Sequence, residues 1–455
     1  MAQPRTCRLL TLGCKVNQYE TQYVKELLEK SGYREAKGHE SADLCVVNTC
    51  TVTHEADAKG RQLIRRLARD NPTAAIVVMG CYATRAPAAV GQLPRVARVI
   101  TDKNRIVDEL AEFGVKETLP GISRFDGHRR AFVKVQDGCL LNCSFCVIPS
   151  VRPVLRSRPI EEIEDEVRRM VATGCQEVVL TGIHLGHYGI DLSKGKPKSS
   201  WSRLWHLIER LDRMPGHFRV RLSSLEAAEV RGELVETLAQ STKICPHLHL
   251  CLQSGSDRIL ARMRRRYRVA GFLERCRRLR SILDNPAFTT DVIVGFPGET
   301  DFDFEETCRA VREVGFSRIH IFSFSARSGT VAANLPDRVP ADQVAERRAR
   351  LLEIESELAR AYYQGLIGHR LDVLVEGEDV NWPGSVRGTS CRYAPVSFKG
   401  CLPALLARRV PVLACGVGDG FVLATPEPDN ELYRSATSAE NGFRRVPLPQ
   451  VDLAV

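Results

Sequence analysis

Three cysteines in one short loop carry the strongest chemical signal in this chain. Cys139, Cys143 and Cys146 are spaced C-x3-C-x2-C within GCLLNCSFC, and the next cysteine is Cys175. Thiolates gathered this tightly are soft ligands suited to an iron–sulfur cluster. A 4Fe–4S cubane has four irons, so three thiolates leave one iron open to bind and reduce a small molecule. The alternative is a zinc loop or a group of buried thiols. Structural zinc wants four ligands, often from two C-x2-C pairs, and this loop supplies one pair.

A second set lies upstream. Cys14 follows the apolar stretch CRLLTLG, Cys50 ends LCVVNTC and Cys81 ends AIVVMGC. Each stretch reads as a buried parallel strand, and each cysteine falls just past its C-terminal end. In open α/β sheets the ligand crevice lies at those ends, so three thiols distant in sequence would converge at one rim. Cys7 and Cys45 fall inside strands instead and read as packing residues. A second three-cysteine cluster site is therefore expected, with incidental thiols as the alternative. Gly13 and Gly80 precede Cys14 and Cys81 and would let the backbone pass close to a bulky cluster. Asn17 and Gln18 could hydrogen-bond beside it.

The elements that must position these residues fall into three blocks of an α/β chain. Residues 5–125 read as an open parallel-sheet α/β domain, with helices over 18–31 and 55–69. The stretch 118–129 is rich in Gly, Pro and charge and reads as a linker. Over 126–366, six strand candidates (AFVKVQ, EVVLTG, FRVRLSS, HLHLCLQ, TTDVIVGF and RIHIFSFS) alternate with helical stretches. That alternation predicts an incomplete (β/α)6 barrel, ending in one long charged helix over 341–366. The Cys139 loop follows the first barrel strand, at the end where such barrels do their chemistry. Residues 367–428 change to short β segments between Gly, Pro and Asp, a small OB-like β-barrel. Residues 429–455 read as a loose tail and 189–200 as a flexible surface loop.

Composition sets the setting. The 455 residues are 44% hydrophobic and 26% charged, ordinary for a globular protein of two to four domains. Sixteen cysteines without an apolar N-terminal stretch point to a reducing, cytoplasmic compartment. No run of the chain approaches a membrane span. The net charge of +10 is compatible with a polyanionic partner.

In chain order, TLGCKVNQYET, VVNTCTVT, VMGC, GCLLNCSFC, HLCLQSGSDRILARMRRRY, DVIVGFPGET and the terminal β-barrel resemble the methylthiotransferase family of radical S-adenosylmethionine (SAM) enzymes. The resemblance extends to about residue 428, and Phe145 completes the C-x3-C-x-aromatic-C pattern of radical SAM loops. It implies an N-terminal cluster domain, a radical SAM barrel and a TRAM domain that docks tRNA. Residues 13–20, GCKVNQYE, are similar to the branch acting on threonylcarbamoyladenosine at position 37 of tRNA, beside the anticodon. Isopentenyladenosine in tRNA and a ribosomal-protein aspartate are the alternatives within the family. A non-catalytic iron–sulfur RNA-binding or sensor protein is the alternative from another class. One segment departs from the pattern: IPSVRPVLRSRP has Pro153 after Arg152 where the family often has Gly. Proline fixes φ and removes a donor, so a different loop path is expected there.

The resemblance also implies roles. A 4Fe–4S cluster on Cys139, Cys143 and Cys146 would bind SAM and cleave it to a 5′-deoxyadenosyl radical. That radical would take the C2 hydrogen of adenosine, which general acid–base chemistry cannot easily activate. A second 4Fe–4S cluster on Cys14, Cys50 and Cys81 would deliver sulfur, and a second SAM the methyl group. Phe145, Gly182, Glu226, Gln253, Ser254 and Gly295 are the candidate SAM contacts at the barrel rim, although strand-to-helix turns also favour Gly and Ser. His184 and His187 share that rim and read as packing or surface positions. Arg262, Arg264, Arg265, Arg266 and Arg268 are the candidate RNA contacts, with a solvated helical face as the alternative. No catalytic side chain beyond the cluster ligands is expected. The implied partners are tRNA, an electron donor and a sulfur source, and a monomer is expected.

Overall fold

The computed structural model describes residues 5–427, so the expected tail, 429–455, lies outside the described residues. Five parallel strands open the chain: β1 (Arg5–Thr11), β2 (Tyr33–Glu35), β3 (Leu44–Thr49), β4 (Ala75–Gly80) and β5 (Val96–Val99), in the order β2-β1-β3-β4-β5. β3 is buried at every position, as a central parallel strand covered on both faces must be. The covers are the helix Lys15–Lys30, which puts Val24, Leu27 and Leu28 on Val46 and Met79, and the helix His54–Asp70, which puts Ile64 and Leu67 on Val47 and Val78. The short β2 was not expected from the sequence. It adds only three residues to the edge of β1.

The second unit is an open barrel. Its strands are β6 (Ala131–Asp137), β7 (Arg156–Ser157), β8 (Glu177–Gly182), β9 (Arg219–Leu222), β10 (His247–His249), β11 (Ala287–Val294) and β12 (Arg318–Ser323). β6, β8 and β9 pair in parallel, as do β10, β11 and β12. Parallel bridges at Val220–Ile244 and Leu225–Leu250 join the two runs, giving the six parallel strands expected. The two-residue β7 lies antiparallel on the outer edge of β6, where it closes the strap that follows the Cys139 loop. The long helix ends at Gln364, two residues before its expected end.

Beyond it, β13 (Arg370–Glu378), β14 (Ser385–Ser390), β15 (Pro395–Lys399), β16 (Arg409–Val417) and β17 (Val422–Pro426) form a closed barrel in the order β13-β14-β15-β17-β16. Polar contacts fix how the units sit. The N-terminal unit packs beside β6, where Lys134 Nζ meets Glu20 at 2.7 Å, and against the helix Ile160–Ala172, where Tyr19 Oη donates to Glu166 at 2.9 Å. It reaches past the C-terminal end of β12, where His54 N donates to Ser325 Oγ at 3.3 Å. The small barrel lies at the opposite end. There Arg219, at the start of β9, donates to Thr389 O at 3.0 Å, and Arg221 donates to Ser390 O at 3.0 Å. Glu177, buried at the start of β8, pairs with both arginines. No helix among the described residues is long and apolar enough to cross a membrane.

Candidate active site: two cysteine triads joined by an arginine

The first triad is built by close backbone approach. Gly13 has φ +103°, and a Cβ there would lie 2.8 Å from Cys50 Cβ and 3.1 Å from Cys50 Sγ. Gly80 has φ +97°, and a Cβ there would fall 2.3 Å from Asn48 Oδ1. Both positions therefore need glycine, on steric and conformational grounds. Asn17 laces two of the loops together, donating from Nδ2 to Leu12 O at 2.9 Å and to Thr49 O at 3.1 Å. Cys14, Cys50 and Cys81 thus share one rim, as the strand ends require.

The second triad sits in a loop pinned at several points. Cys146 N donates to Cys143 O at 3.1 Å, and Ser144 Oγ donates to Arg262 O at 2.7 Å. Two side chains aim at its sulfurs. Arg265 Nη1 donates to Cys143 Sγ at 3.4 Å, and His184 Nδ1 lies 3.6 Å from Cys139 Sγ. His184 Nε2 is 2.8 Å from both Glu229 oxygens, and His187 stacks on it with ring centroids 3.8 Å apart. Burial alone would raise the Glu229 carboxyl, but the two histidines outweigh it and bring it down to about 2. Gly186 makes the approach possible, because a Cβ there would sit 1.7 Å from Glu229 Oε2. The sequence reads His184 as a packing or surface position; it is buried, beside Cys139 and held in place by Glu229. The only sequence signal was the shared rim.

Arg152 touches both triads. Its carbonyl accepts from Cys139 N at 3.3 Å, and its Nε donates to Cys81 Sγ at 3.4 Å. The other donors reach Glu20 at 2.9 Å, Asp137 at 2.8 Å and Asn17 Oδ1 at 3.0 Å. Its side chain is 1% exposed. The strap that follows lies against Gly138, where a Cβ would come within 2.0 Å of Val154 O. Pro153, the departure noted in the sequence, stiffens this strap between Arg152 and Val154.

The donor sets suit a cluster better than a single ion. In neither triad do the sulfurs all lie within 4.8 Å of one another. Tetrahedral zinc, with Zn–S of about 2.3 Å, would draw them to about 3.8 Å. Burial pushes the Cys50 thiol up to about 11 and the Cys146 thiol up to about 12, so unligated thiols there hold their protons. A cluster must displace those protons, and the N–H donors from Arg152 and Arg265 are placed to stabilise the sulfur charge that results.

Beside Cys146 lies a chamber of about 200 Å³. Val52 and Thr53, just after Cys50, form one wall, and Phe145, Cys146 and Ile148 form another. Gln253 and Asp291 line it as well, and Asp291 Oδ2 lies 3.3 Å from His249 Nε2. The remaining rim residues separate. Gly182 faces Gln136, whose Oε1 accepts from His184 N at 2.8 Å. Gly295 lies where a Cβ would meet Val344 at 2.4 Å. Glu226 pairs with Arg265 at 2.5 Å. Ser254 turns away, buried with its hydroxyl 3.4 Å from Thr307 Oγ1. The arginine run separates too. The Arg265 side chain is 5% exposed and belongs to the cysteine site, so it is not open to phosphate. Arg262 packs its guanidinium against Gly298, while Arg264, Arg266 and Arg268 are exposed.

Comparison with known proteins fits this geometry. Residues 6–102 match the Uncharacterized protein family UPF0004, and residues 133–311 match the Radical SAM superfamily. The chain is 38% identical over 412 residues to the threonylcarbamoyladenosine tRNA methylthiotransferase MtaB of Bacillus subtilis, covering 86% of this chain and 89% of that protein. The MtaB of Chlamydia pneumoniae is 40% identical over 376 residues, covering 82% and 87%. The tRNA-2-methylthio-N(6)-dimethylallyladenosine synthase of Desulfitobacterium hafniense is 33% identical over 418 residues, covering 87% and 92%. Among solved structures, the radical SAM methyltransferase TsrM from Kitasatospora setae aligns with TM-score 0.52 and 14% identity, over 70% of this chain and 73% of that one. That likeness concerns the fold alone. The similarity to the curated relatives runs through both cysteine-bearing units, and the chain belongs to the methylthiotransferase family of radical SAM enzymes.

Proposed function

We propose that this enzyme places a methylthio group on C2 of N6-threonylcarbamoyladenosine at position 37 of tRNA. The observation that carries the reading is the pair of cysteine triads tied together by Arg152, whose carbonyl accepts from Cys139 N and whose Nε donates to Cys81 Sγ. The branch assignment rests on the higher identity to the two MtaB proteins than to the dimethylallyladenosine synthase, and on residues 13–20. Cys139, Cys143 and Cys146 would hold one 4Fe–4S cluster, and Cys14, Cys50 and Cys81 a second. When bound, the clusters and SAM supply one-electron chemistry for hydrogen removal, together with the sulfur and its methyl group.

The chain's own residues bind, orient and exclude water. Arg265 directs an N–H group at Cys143 Sγ, His184 sets its Nδ1 beside Cys139 Sγ, and Arg152 directs an N–H at Cys81. Phe145, Ile293, Phe322 and Phe324 give the chamber apolar walls, which limit side reactions of a reactive centre with water. Gln253 and Asp291 supply its polar end, where a base edge could hydrogen-bond. Phe145, Gly182, Gln253 and Gly295 remain the proposed SAM contacts, and Arg264, Arg266 and Arg268 proposed phosphate contacts. Turnover needs an electron donor and a sulfur source, and a cytoplasmic site of action suits both oxygen-sensitive clusters.

The test is reconstitution under anaerobic conditions with SAM, a chemical reductant and two anticodon stem-loop RNAs, one carrying threonylcarbamoyladenosine and one isopentenyladenosine. Methylthiolation of the first alone is expected. Modification of the second alone would overturn the branch assignment.

A further inference from the structure

The chamber does not end at its own walls. Through Ser323, Phe324 and Ser325 it continues into a larger groove of about 710 Å³ on the open side of the barrel. One wall of the groove is the helix Ala341–Gln364, which presents Ala345, Arg348, Ala349 and Leu352. Their spacing of three, four and seven places them on one face. The opposite face is the packed one, where Leu351 and Ile354 are buried and Arg347 pairs with Glu299 at 2.8 Å.

The charge of this groove is one-sided. Arg338 and Arg348 line it, and no carboxylate does. Neighbouring arginines on the same helix are engaged, Arg347 with Glu299 and Asp301 and Arg350 with Glu305. Among the described residues Arg348 has no ion pair or hydrogen bond, and Arg338 spends one donor on Ala333 O. Apolar surface lies beside these cations: Phe324 is shared with the chamber, and Leu352 is 44% exposed. Free guanidinium groups beside apolar side chains suit a single-stranded nucleic acid, which offers phosphates and unstacked bases together.

The helix also gives the groove a direction. Its N-terminal turns line the groove that opens from the chamber, and Tyr363 near its other end is buried in the core of the small β-barrel. Its 24 residues span about 36 Å. An RNA held at the small barrel and at the chamber would therefore run along this helix.

We infer that the groove bounded by Arg338, Arg348, Phe324 and Leu352 carries the RNA strand flanking the target adenosine, with its phosphates on the two arginines. This rests on the proposed tRNA substrate, and the experiment separates the two claims. The probe is a fluorescent anticodon stem-loop RNA bearing the modified adenosine, binding to the reconstituted full chain between about 50 and 200 mM salt. R338Q/R348Q is compared with the wild type, and A349E places a carboxylate on the exposed helix face without touching the core. The double variant should lower the slope of log K against log salt by about 1.4 to 1.8, two phosphate contacts' worth. A349E should weaken binding at low salt, while SAM cleavage without RNA stays unchanged in both variants. Wild-type binding with an unaltered slope in the double variant would overturn the groove and leave the substrate reading intact. No binding by the wild type would overturn the substrate reading itself. Normal RNA binding by the variants with slowed reduction by an acidic electron-transfer protein would reassign the groove to that protein and also overturn the inference.

Discussion

Replacing Arg152 by Met should loosen the joint between the two cysteine-bearing units. The guanidinium is 1% exposed and meets Glu20, 4% exposed, through two bonds of 2.9 Å, with further bonds to Asp137, Asn17 and Cys81. Removing one member of a buried pair costs about 3–5 kcal/mol, because the other charge is left behind. Lys134 also reaches Glu20, at 2.7 Å, so the lower end applies, about 3 kcal/mol. Amide exchange along the helix Lys15–Lys30, measured on apo-protein, should then quicken by roughly 150-fold. The pH dependence gives a second reading. Burial alone would raise the Glu20 carboxyl, but Arg152 and then Lys134 outweigh it and hold it down at about 2, against an ordinary value of 4.5. A lowered folded value stabilises above the ordinary value and is lost as pH falls through the folded one. Wild-type protection should therefore fade between pH 4.5 and about 2, and the variant should show a flatter profile. R152M/E20L, which removes both charges, should recover most of the loss. Exchange within about threefold of wild type in R152M would refute the reasoning.

The two triads should divide the work. Cys143→Ala is expected to abolish SAM cleavage, whereas Cys50→Ala should keep some cleavage and lose sulfur insertion; methylthiolated product from the latter would contradict the division. Arg265→Gln removes a cationic N–H donor from Cys143 Sγ and should shift the midpoint potential of the barrel cluster downward, read by EPR on a variant lacking Cys14, Cys50 and Cys81. Glu177→Gln leaves Arg219 and Arg221 without their buried carboxylate, a loss of about 3–5 kcal/mol that should appear as faster proteolysis between the long helix and β13.

What the sequence made legible follows from range. β3 and β4 are continuous apolar runs because both faces of a central parallel strand are covered, so their ends, and Cys50 and Cys81 with them, could be read directly. The six barrel strands were legible for the same reason. Contacts between distant residues were not. Glu229 is 45 positions from His184, and Glu20 is 132 from Arg152, so no local spacing announces either partnership. Arg265 misled in the same way: its acid, Glu226, comes from another element. Ser254 looked like a rim residue, but the helix Asp301–Val314 packs against its turn and takes the hydroxyl inward.

The most direct test of the central claim is nucleoside mass spectrometry of tRNA from a bacterial strain lacking this modification, with and without the gene. The account predicts a gain of 2-methylthio-threonylcarbamoyladenosine that disappears with Cys143→Ala and with Cys50→Ala. No change in any tRNA nucleoside, with both clusters assembled, would contradict it.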